Sequence, residues 1–400
     1  MKYLIIGSLA FSQFMTRANA VKDPDTIRVS KTEIEMVYNH YLQNGNNSAV
    51  TGGTGTERLI IYGPALSAKH SFGKNIVNLN LGTDVISSAS TDKIDFVVSS
   101  ASVLDARYYL DGNFDRHFDK SRINLQGGVG LSAESDYFSF SYNLGITKKS
   151  SNDQQTLSAA IRIFNDDLRW GRLSSDNHKP VGLIYPQELR YKEWYTDYRR
   201  NSYNIRFGFV RILNKRNTLG VFPEFAWQKG LLATPFHRVY FNDESLGVEQ
   251  LPDRRIKGSI ALKLNSFPGG RVIIKNSINA YTDNFGIHSL SFENETPVKI
   301  RPFLILMPNF RIYSQQGSSY FARYKEHRPN VRYYSSDYDL SSFQTFQIGM
   351  GFKYSPQKYT QRGRMFNSLI FRYNYFHRTN NLNAHIFSVI FQTTRFKKSE

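Results

Sequence analysis

Carboxylates and small hydroxyl residues cluster in the segment DVISSASTDKIDFVVSSAS, which runs from residue 84 to residue 102. Asp84 and Asp92 belong to this segment, and Glu134 and Asp136 follow in SAESDYF. Oxygen ligands of this kind are those that Ca²⁺ takes in proteins. The spacing matches no known calcium loop, so we predict no metal site. We expect these residues to form a polar crown at the end of a sheet. A calcium site at Asp84, Asp92, Glu134 and Asp136 is the alternative.

Charged residues also recur at the polar positions of segments in which apolar and polar residues alternate. Arginine or lysine at mid-bilayer on a lipid-facing surface would cost roughly 2–4 kcal/mol, so these side chains are expected to face the lumen of a barrel. Such a set of charges could select polar solutes in a wet pore, or it could close the lumen through its own ion pairs and an infolded loop. The predicted lumen charges are Arg122, Arg162, Arg206, Lys275, Arg311, Lys353, Arg372, Asp84, Glu134, Asp166, Glu293 and Glu295.

The elements that must position these charges are β-strands, because the period of the pattern is two almost throughout. Residues 76–84, 122–132 and 137–147 each place apolar residues on one face and polar residues on the other. Segments of ten or more residues suit strands that cross a hydrocarbon core at a tilt. In lipid every backbone group must be paired, and only a closed sheet has no edge. The pattern therefore favours a barrel over a soluble sandwich.

The connections between these segments alternate in length. Short turns are predicted at 72–75, 118–121, 150–153, 214–217, 266–270, 298–302 and, somewhat longer, at 356–364. Long loops are predicted at 44–57, 89–104, 169–200, 229–253 and 315–340. Short periplasmic turns and long extracellular loops are the outer-membrane arrangement. We predict an all-β, closed antiparallel transmembrane β-barrel of about 16 strands, with 14 as the alternative and both mature ends at the periplasmic side.

The two ends of the chain carry targeting signals. Lys2, an apolar run and ANA at 18–20 predict a cleaved signal peptide over residues 1–20, with the barrel over 21–400. The last strand, 384–396, resembles the C-terminal strand that the barrel-assembly machinery recognises, although KKSE follows Phe396. The chain has no cysteine, so disulfides and thiolate metal sites are excluded.

Composition agrees with a membrane barrel and limits the partners. The chain has 14% aromatic residues and a formal charge of +18. A basic exported protein could meet anionic lipid head groups, acidic glycans or nucleic acid. We predict outer-membrane lipid and lipopolysaccharide as partners, the barrel-assembly machinery during insertion, other outer-membrane proteins in addition, and no nucleic acid.

Motifs for catalysis are missing from the sequence. There is no phosphate loop, GxSxG, HExxH or EF-hand pattern. We therefore predict no enzymatic activity and no cofactor.

Two loop segments, 186–203 and 320–338, interleave arginine and lysine with tyrosine. They could form a recognition surface or an aromatic girdle with snorkelling basic residues. In addition, Glu188, Glu193 and Asp197 could pair with Arg162 and Arg206 if the loop 169–200 folds into the lumen. Deleting most of 173–196 would then raise the conductance.

Several segments resemble a family of exported bacterial proteins, the domain of unknown function 3570. They are DVISSASTDKIDFVVSSAS, SAESDYFSFSYNLG at 132–145, FNDDLRWGRL at 164–173, GLLATPFHRVY at 230–240, YTDNFGIHSLSFENE at 281–295 and YYSSDYDLSSF at 333–343. The resemblance implies an outer-membrane β-barrel and assigns no catalytic residue.

Two functions follow as expectations. The first is a porin-like channel in the outer membrane of a Gram-negative bacterium for small polar or anionic solutes, because about 16 strands leave room for an aqueous lumen. The alternative is a scaffold or accessory subunit of an outer-membrane assembly, a secretion complex or a surface-binding complex, which the large Arg- and Tyr-rich loops favour.

Overall fold

The computed structural model describes residues 29–88, 104–134, 137–168, 189, 194–235, 237–356, 358–360 and 363–398. The predicted signal peptide, Asp92 and Asp136 lie outside these residues. No helix within the described part of the chain is long and apolar enough to cross a membrane.

Twenty strand segments occupy most of the described residues. They are β1 (Val29–Asn44), β2 (Leu59–Phe72), β3 (Asn75–Ser88), β4 (Leu104–Phe118), β5 (Ile123–Ala133), β6 (Phe138–Lys149), β7 (Gln155–Asp167), β8 (Arg199–Asn214), β9 (Asn217–Gly230), β10 (Arg238–Tyr240), β11 (Leu246–Val248), β12 (Arg254–Gly269), β13 (Val272–Asp283), β14 (His288–Glu295), β15 (Val298–Arg301), β16 (Leu304–Gln316), β17 (Phe343–Tyr354), β18 (Lys358–Thr360), β19 (Arg364–Arg378) and β20 (Leu382–Lys398).

The sheet closes on itself, which confirms the predicted barrel. Each barrel strand pairs antiparallel with its neighbour along the chain, and β1 pairs with both β2 and β20. The closing pair runs from Val29 opposite Lys398 to Asn44 opposite Asn383, so no strand edge is left unpaired along that seam. Both termini of the barrel lie at the end that carries the short turns.

The 18 segments of the barrel sheet form 16 barrel strands, because two of the strands are each interrupted and consist of two segments. Thr296 and Pro297 separate β14 from β15, and both segments pair with β16. Pro356 follows the end of β17, and both β17 and β18 pair with β19. Proline has no N–H to donate to the ladder, which explains why the pairing is broken at these points. The small segments β10 and β11 form a separate hairpin outside the barrel.

The two faces of each strand differ as the alternation predicts. On β6, Phe138, Tyr142, Leu144 and Ile146 are exposed on the outer surface, whereas Ser139 and Ser141 are buried on the inner one. The outer surface of the other strands is likewise rich in exposed aliphatic and aromatic side chains. Such an apolar outer surface is stable in contact with the hydrocarbon chains of a bilayer and unfavourable in contact with water.

The two ends of the barrel carry connections of different length. At the end with the chain termini, β2 and β3 are joined by Gly73 and Lys74 alone, and Gly73 has a φ of 55°. At the opposite, outer end the long connections lie between β1 and β2, β3 and β4, β7 and β8, β9 and β12, and β16 and β17. Three further connections at that end are short, at 134–137, 284–287 and 379–381. The prediction had located only the long ones.

Candidate channel lumen and outer loop layer

Ion pairs that skip strands show which side of the sheet is the lumen. Arg162 on β7 binds Asp111 on β4 with Nη2 2.7 Å from Oδ1, although β5 and β6 lie between them. Arg372 on β19 binds Glu295 on β14 with Nη1 2.7 Å from Oε2, across β16 and β17. Contacts over two intervening strands can form only on the concave surface, so these polar side chains face inward.

The lumen wall from β4 to β9 holds balanced charges. In addition to the Arg162–Asp111 pair, Arg206 on β8 binds Glu224 on β9 at 3.0 Å. Nearer the outer end, Asp166 accepts hydrogen bonds from Arg200 Nε at 2.7 Å and from the Tyr137 hydroxyl at 3.0 Å. The predicted lumen residues Arg162, Arg206 and Asp166 therefore lie inside the barrel, each beside an opposite charge.

The opposite wall has an excess of positive charge. Glu295 accepts from Lys275 Nζ at 2.8 Å as well as from Arg372, and both cations act on the nearby Lys353 ammonium. Arg311 faces Glu293 across the β14–β16 ladder and lies over the Tyr313 ring. Neither Arg311 nor Lys353 forms an ion pair among the described residues. We call Lys275, Arg311, Lys353 and Arg372 the basic wall.

The basic wall lies across the lumen from acidic residues. In the closed sheet seven strands separate β4 from β14 in either direction, so the two strands are diametrically opposed. β4 carries Asp111 and Asp115, and Asp115 accepts from Asn78 at 2.9 Å. The basic wall therefore faces a wall on which Asp111 is already paired with Arg162.

The lumen is accessible to solvent at the level of these charges. The side chains of Arg162, Arg206 and Lys275 are 42%, 41% and 45% exposed although each is ion-paired. Described side chains that filled the lumen at this level would bury these groups, so the wall that the described residues form encloses a polar interior here.

Arg122 does not lie on the lumen wall. It occupies the turn between β4 and β5 with a φ of 54°. Its guanidinium reaches the neighbouring turn, where it donates to Ser150 O at 2.7 Å and lies 3.3 Å from Asp153. Alternation placed Arg122 in the inward phase of β5, but that strand begins only at Ile123, and the expectation was wrong for this residue.

Arg107 lies near Asp84 and Glu134, which are two of the four residues of the alternative calcium site. It faces Asp84 across the β3–β4 ladder, and its Nε is 3.9 Å from Glu134 and 2.9 Å from Ser132 Oγ. A guanidinium therefore supplies positive charge to Asp84 and Glu134. Asp92 and Asp136 are outside the described residues, so the full calcium set stays untested.

Three long connections pack together over the outer mouth. We call their described residues the loop layer: 45–58 between β1 and β2, 231–253 except 236 between β9 and β12, and 317–342 between β16 and β17. The second and third are joined by paired backbone bonds, with Gln250 N donating to Tyr334 O and Tyr334 N to Gln250 O. Val239, Val248 and Ser335 are fully buried within the layer.

The first connection enters the layer through glycines. Gly52 and Gly53 have φ angles of 77° and 87°. A Cβ on Gly52 would lie 2.6 Å from the Tyr240 ring, and one on Gly53 would lie 2.8 Å from Ser336 O. Larger residues fit neither the backbone angle nor the space, so the TGGTG segment is built for this packing. Arg238 Nη1 completes the contact by donating to Val50 O at 2.8 Å.

The loop layer is fastened to the inside of the barrel mouth. Arg378, at the outer end of β19, is 1% exposed and binds Asp339 of the third connection. Gln315 at the end of β16 donates to Asp339 O and Ser341 O at 2.9 and 2.8 Å. Gln43 at the end of β1 donates to Glu57 O at 3.3 Å. The mouth is therefore narrowed by ordered chain.

Burial within the layer shifts several ionisation equilibria. Burial and the nearby Asp339 carboxylate raise the pKa of Glu57 to about 8, against the opposing effect of Arg378. Burial and Asp339 also raise the pKa of Asp337 to about 6. Burial opposes the charged form of both His237 and Glu249, but their mutual attraction prevails and raises the pKa of His237 while lowering that of Glu249.

Described residues of both aromatic loops pack against the connection between β9 and β12. In 320–338, Tyr334 is buried against Val239 and Phe241, so it belongs to the layer and not to a lipid-facing girdle. From the connection between β7 and β8, Leu189, Trp194 and Tyr195 pack on Val248 of the hairpin.

Among the described residues, Arg162 pairs with Asp111 and Arg206 pairs with Glu224. The pairing of these arginines with the loop 169–200 stays a prediction. Asp197 accepts from Arg199 N at 3.0 Å, and Glu188 and Glu193 are outside the described residues.

No sequence pattern pointed to His237, Glu249 and Asp339 as functional residues. They lie in connections without periodic pattern, and only the folded layer brings them together. One local signal was available. RVYFNDESLGV has two short apolar runs about a polar NDES turn, which is typical of a hairpin.

A family model described as "Protein of unknown function (DUF3570)" matches residues 97–381. The chain belongs to this family. The predicted resemblance is thereby confirmed, and the DUF3570 fold in this chain is the 16-strand barrel described above. The search of curated proteins found no significant match.

Solved structures with a similar overall fold are outer-membrane barrels. OpdK of Pseudomonas aeruginosa with vanillate is 8% identical, with a TM-score of 0.43 over 92% of this chain and 99% of that chain. A BenF-like porin from Pseudomonas fluorescens Pf-5 is 10% identical, with a TM-score of 0.42 over 91% and 98%. The TodX deltaS2S3 mutant, described as a monoaromatic hydrocarbon channel, is 11% identical, with a TM-score of 0.42 over 92% and 91%.

Proposed function

We propose that this DUF3570 barrel is a porin-like channel in the outer membrane of a Gram-negative bacterium, for small polar solutes and preferentially for anions. The observation that carries the proposal is the hydrated, charged lumen at mid-height, where paired arginines and lysines are still about two fifths exposed. Charged rings in a water-filled pore select permeant ions by sign.

The preference for anions rests on the basic wall. Glu295 neutralises one charge of the Lys275 and Arg372 pair, while Arg311 and Lys353 have no ion-pair partner among the described residues. Glu35 and Glu293 lie near these two cations without an ion pair to them at 4 Å or less among the described residues, so an anion passing this wall would meet incompletely neutralised positive charge. The loop layer narrows the route to the wall, so the channel is expected to pass small solutes and to conduct weakly.

Reconstitution in a planar bilayer tests this function. The full chain is refolded in detergent, and formation of the barrel is verified by heat-modifiable migration and a β-rich circular dichroism spectrum. Stepwise conductance is expected, with a reversal potential in a KCl gradient that indicates chloride selectivity. An intact barrel that conducts nothing would exclude the channel, and a cation-selective one would exclude the anion preference.

The setting of the channel is part of the proposal. The apolar outer face supports insertion in a bilayer, and the end of β20 supports recognition by the barrel-assembly machinery. Exposed basic residues of the loop layer are suited to lipopolysaccharide phosphates; they are Arg323, Lys325, Arg328 and Arg332.

A second candidate is an accessory subunit of an outer-membrane assembly. The ordered loop layer favours it, because a rigid outer surface binds a partner with little loss of entropy. Purification from native membranes in mild detergent distinguishes the two: a stable stoichiometric partner is expected for the subunit, and an isolated conducting barrel for the channel.

A further inference from the structure

Three side chains that can bind metal converge inside the loop layer. His237 and Glu249 come from the connection between β9 and β12, and Asp337 comes from the connection between β16 and β17. His237 Nδ1 lies 3.6 Å from Glu249 Oε2 and 3.8 Å from Asp337 Oδ2. One ligand atom of each residue lies within 4.8 Å of the others. Among the described residues, no other group of three such side chains meets this condition.

The imidazole nitrogen at the centre of the group has no hydrogen-bond partner. His237 Nδ1 is buried, and no described donor or acceptor bonds to it. A buried nitrogen that lies near two carboxylates without a hydrogen bond to either is unfavourable, and a bound cation would satisfy it. Two ligand atoms bound to one ion at about 2.0–2.2 Å in tetrahedral geometry lie roughly 3.3–3.6 Å apart. The two separations from His237 Nδ1 are therefore within a few tenths of an ångström of those in a coordination sphere.

Both carboxylates are held by outer hydrogen bonds that leave capacity for a metal. Glu249 Oε1 accepts from Ser335 Oγ, and its Oε2 accepts from Thr234 N at 2.6 Å. Asp337 Oδ1 accepts from Asp339 N at 2.8 Å, which leaves Oδ2 directed at His237. Outer partners of this kind orient the ligands of metal sites. The His237 and Asp337 side chains are 18% and 24% exposed, which leaves a flank for entry and for a water ligand.

We propose that His237, Glu249 and Asp337 bind a divalent cation of the Zn²⁺ class, which links two connections of the loop layer. A nitrogen and two carboxylate oxygens suit Zn²⁺ and its neighbours in the first transition row, and a site for Ca²⁺ or Mg²⁺ would be built from oxygen alone. The proposed metal site does not depend on the channel activity proposed for the barrel.

Calorimetric titration of the refolded, chelator-treated full chain with ZnCl₂ tests the site. Wild type is expected to bind one Zn²⁺ per chain and to bind neither Ca²⁺ nor Mg²⁺ at the same concentrations. His237→Gln and Asp337→Asn are expected to weaken Zn²⁺ binding about 100-fold or more, since the loss of a hydrogen-bond partner of a ligand already costs 10–100-fold. His288→Gln serves as the matched control, because that exposed imidazole bonds to Thr282 and lies outside the layer.

Zinc should also protect the loop layer of wild type against protease and should not protect the two ligand variants. Absence of stoichiometric Zn²⁺ binding, binding unchanged in both ligand variants, or equal loss in His288→Gln would each overturn the site. If the ligand variants fail to form heat-modifiable barrels, the visible spectrum of Co²⁺-loaded wild type decides. Intense tetrahedral bands support the site, and the weak spectrum of hydrated Co²⁺ refutes it.

Discussion

Arg378 and Asp339 join the loop layer to the barrel wall: Nη1 of the arginine lies 2.5 Å from Oδ1 of the carboxylate. Arg378 is 1% exposed, and its guanidinium also lies 4.8 Å from the centre of the Phe343 ring. The arginine ends strand β19, whereas Asp339 lies in the connection between β16 and β17. One buried ion pair therefore couples the position of the layer to a rigid strand.

Replacing Arg378 by Met is expected to release the loop layer while the barrel still forms. Breaking a buried pair by removing one partner typically costs ~3–5 kcal/mol, because the other charge is left without compensation. Limited proteolysis should cut the layer faster, and single-channel conductance should rise. Lys325→Met removes the exposed pair with Glu244 and is expected to change neither quantity. Equal behaviour of the two variants would show that the pair does not hold the layer.

The loop layer is expected to loosen as the pH rises, because Glu57 resists ionisation there. Its pKa is about 8 in the folded layer against an ordinary value of 4.5. The folded state therefore binds more protons than the unfolded one between these values, and stability falls as the pH rises from 4.5 to 8. Protease protection should decline over that range in wild type and much less in Glu57→Gln. Glu244→Gln, an exposed site, should keep the wild-type profile; a profile unchanged in Glu57→Gln would exclude this origin.

Removing Arg311 and Lys353 of the basic wall should reduce anion selectivity. Arg311→Gln combined with Lys353→Gln lowers the positive field in the lumen and breaks none of the ion pairs that the described residues form. The chloride-to-potassium permeability ratio, measured from reversal potentials, is expected to fall severalfold. Lys74→Gln removes a positive charge at an exposed turn outside the lumen and should leave the ratio unchanged. The anion proposal fails if both variants give the wild-type ratio.

A charge on the outer face should destabilise the barrel, whereas the same charge on the inner face should not. Leu144 is 66% exposed at the outer surface of β6, and its neighbour Asn143 donates to Asn113 inside the lumen at 2.9 Å. Leu144→Arg is expected to cost ~2–4 kcal/mol in lipid. Asn143→Arg is expected to cost far less, since the lumen is hydrated. Urea unfolding in lipid vesicles measures both, and equal costs would contradict the assignment of the faces.

The barrel itself followed from the sequence because alternation is a local signal. Each strand carries its own pattern, as in Leu125, Val129 and Leu131 of β5. The seven short turns recognised in the sequence then implied 16 strands. The inward phase of Arg162, Arg206 and Asp166 could be read in the same way, since successive strand residues point to opposite faces. The prediction for Arg122 was wrong because the alternating pattern does not show at which residue the turn ends and strand β5 begins.

The partners of those residues were decided only by the closed barrel. Arg162 meets Asp111, and Arg372 meets Glu295, across two intervening strands, because curvature brings strands that are three apart together inside the lumen. The loop layer lay still further from prediction. His237, Glu249 and Asp337 come from two connections without any periodicity. Only the long-range packing of the layer brings these three side chains together and pairs Arg378, at the end of β19, with Asp339. The alternation within each strand thus determined the barrel wall of this protein. Long-range packing determined the loop layer that narrows the outer mouth.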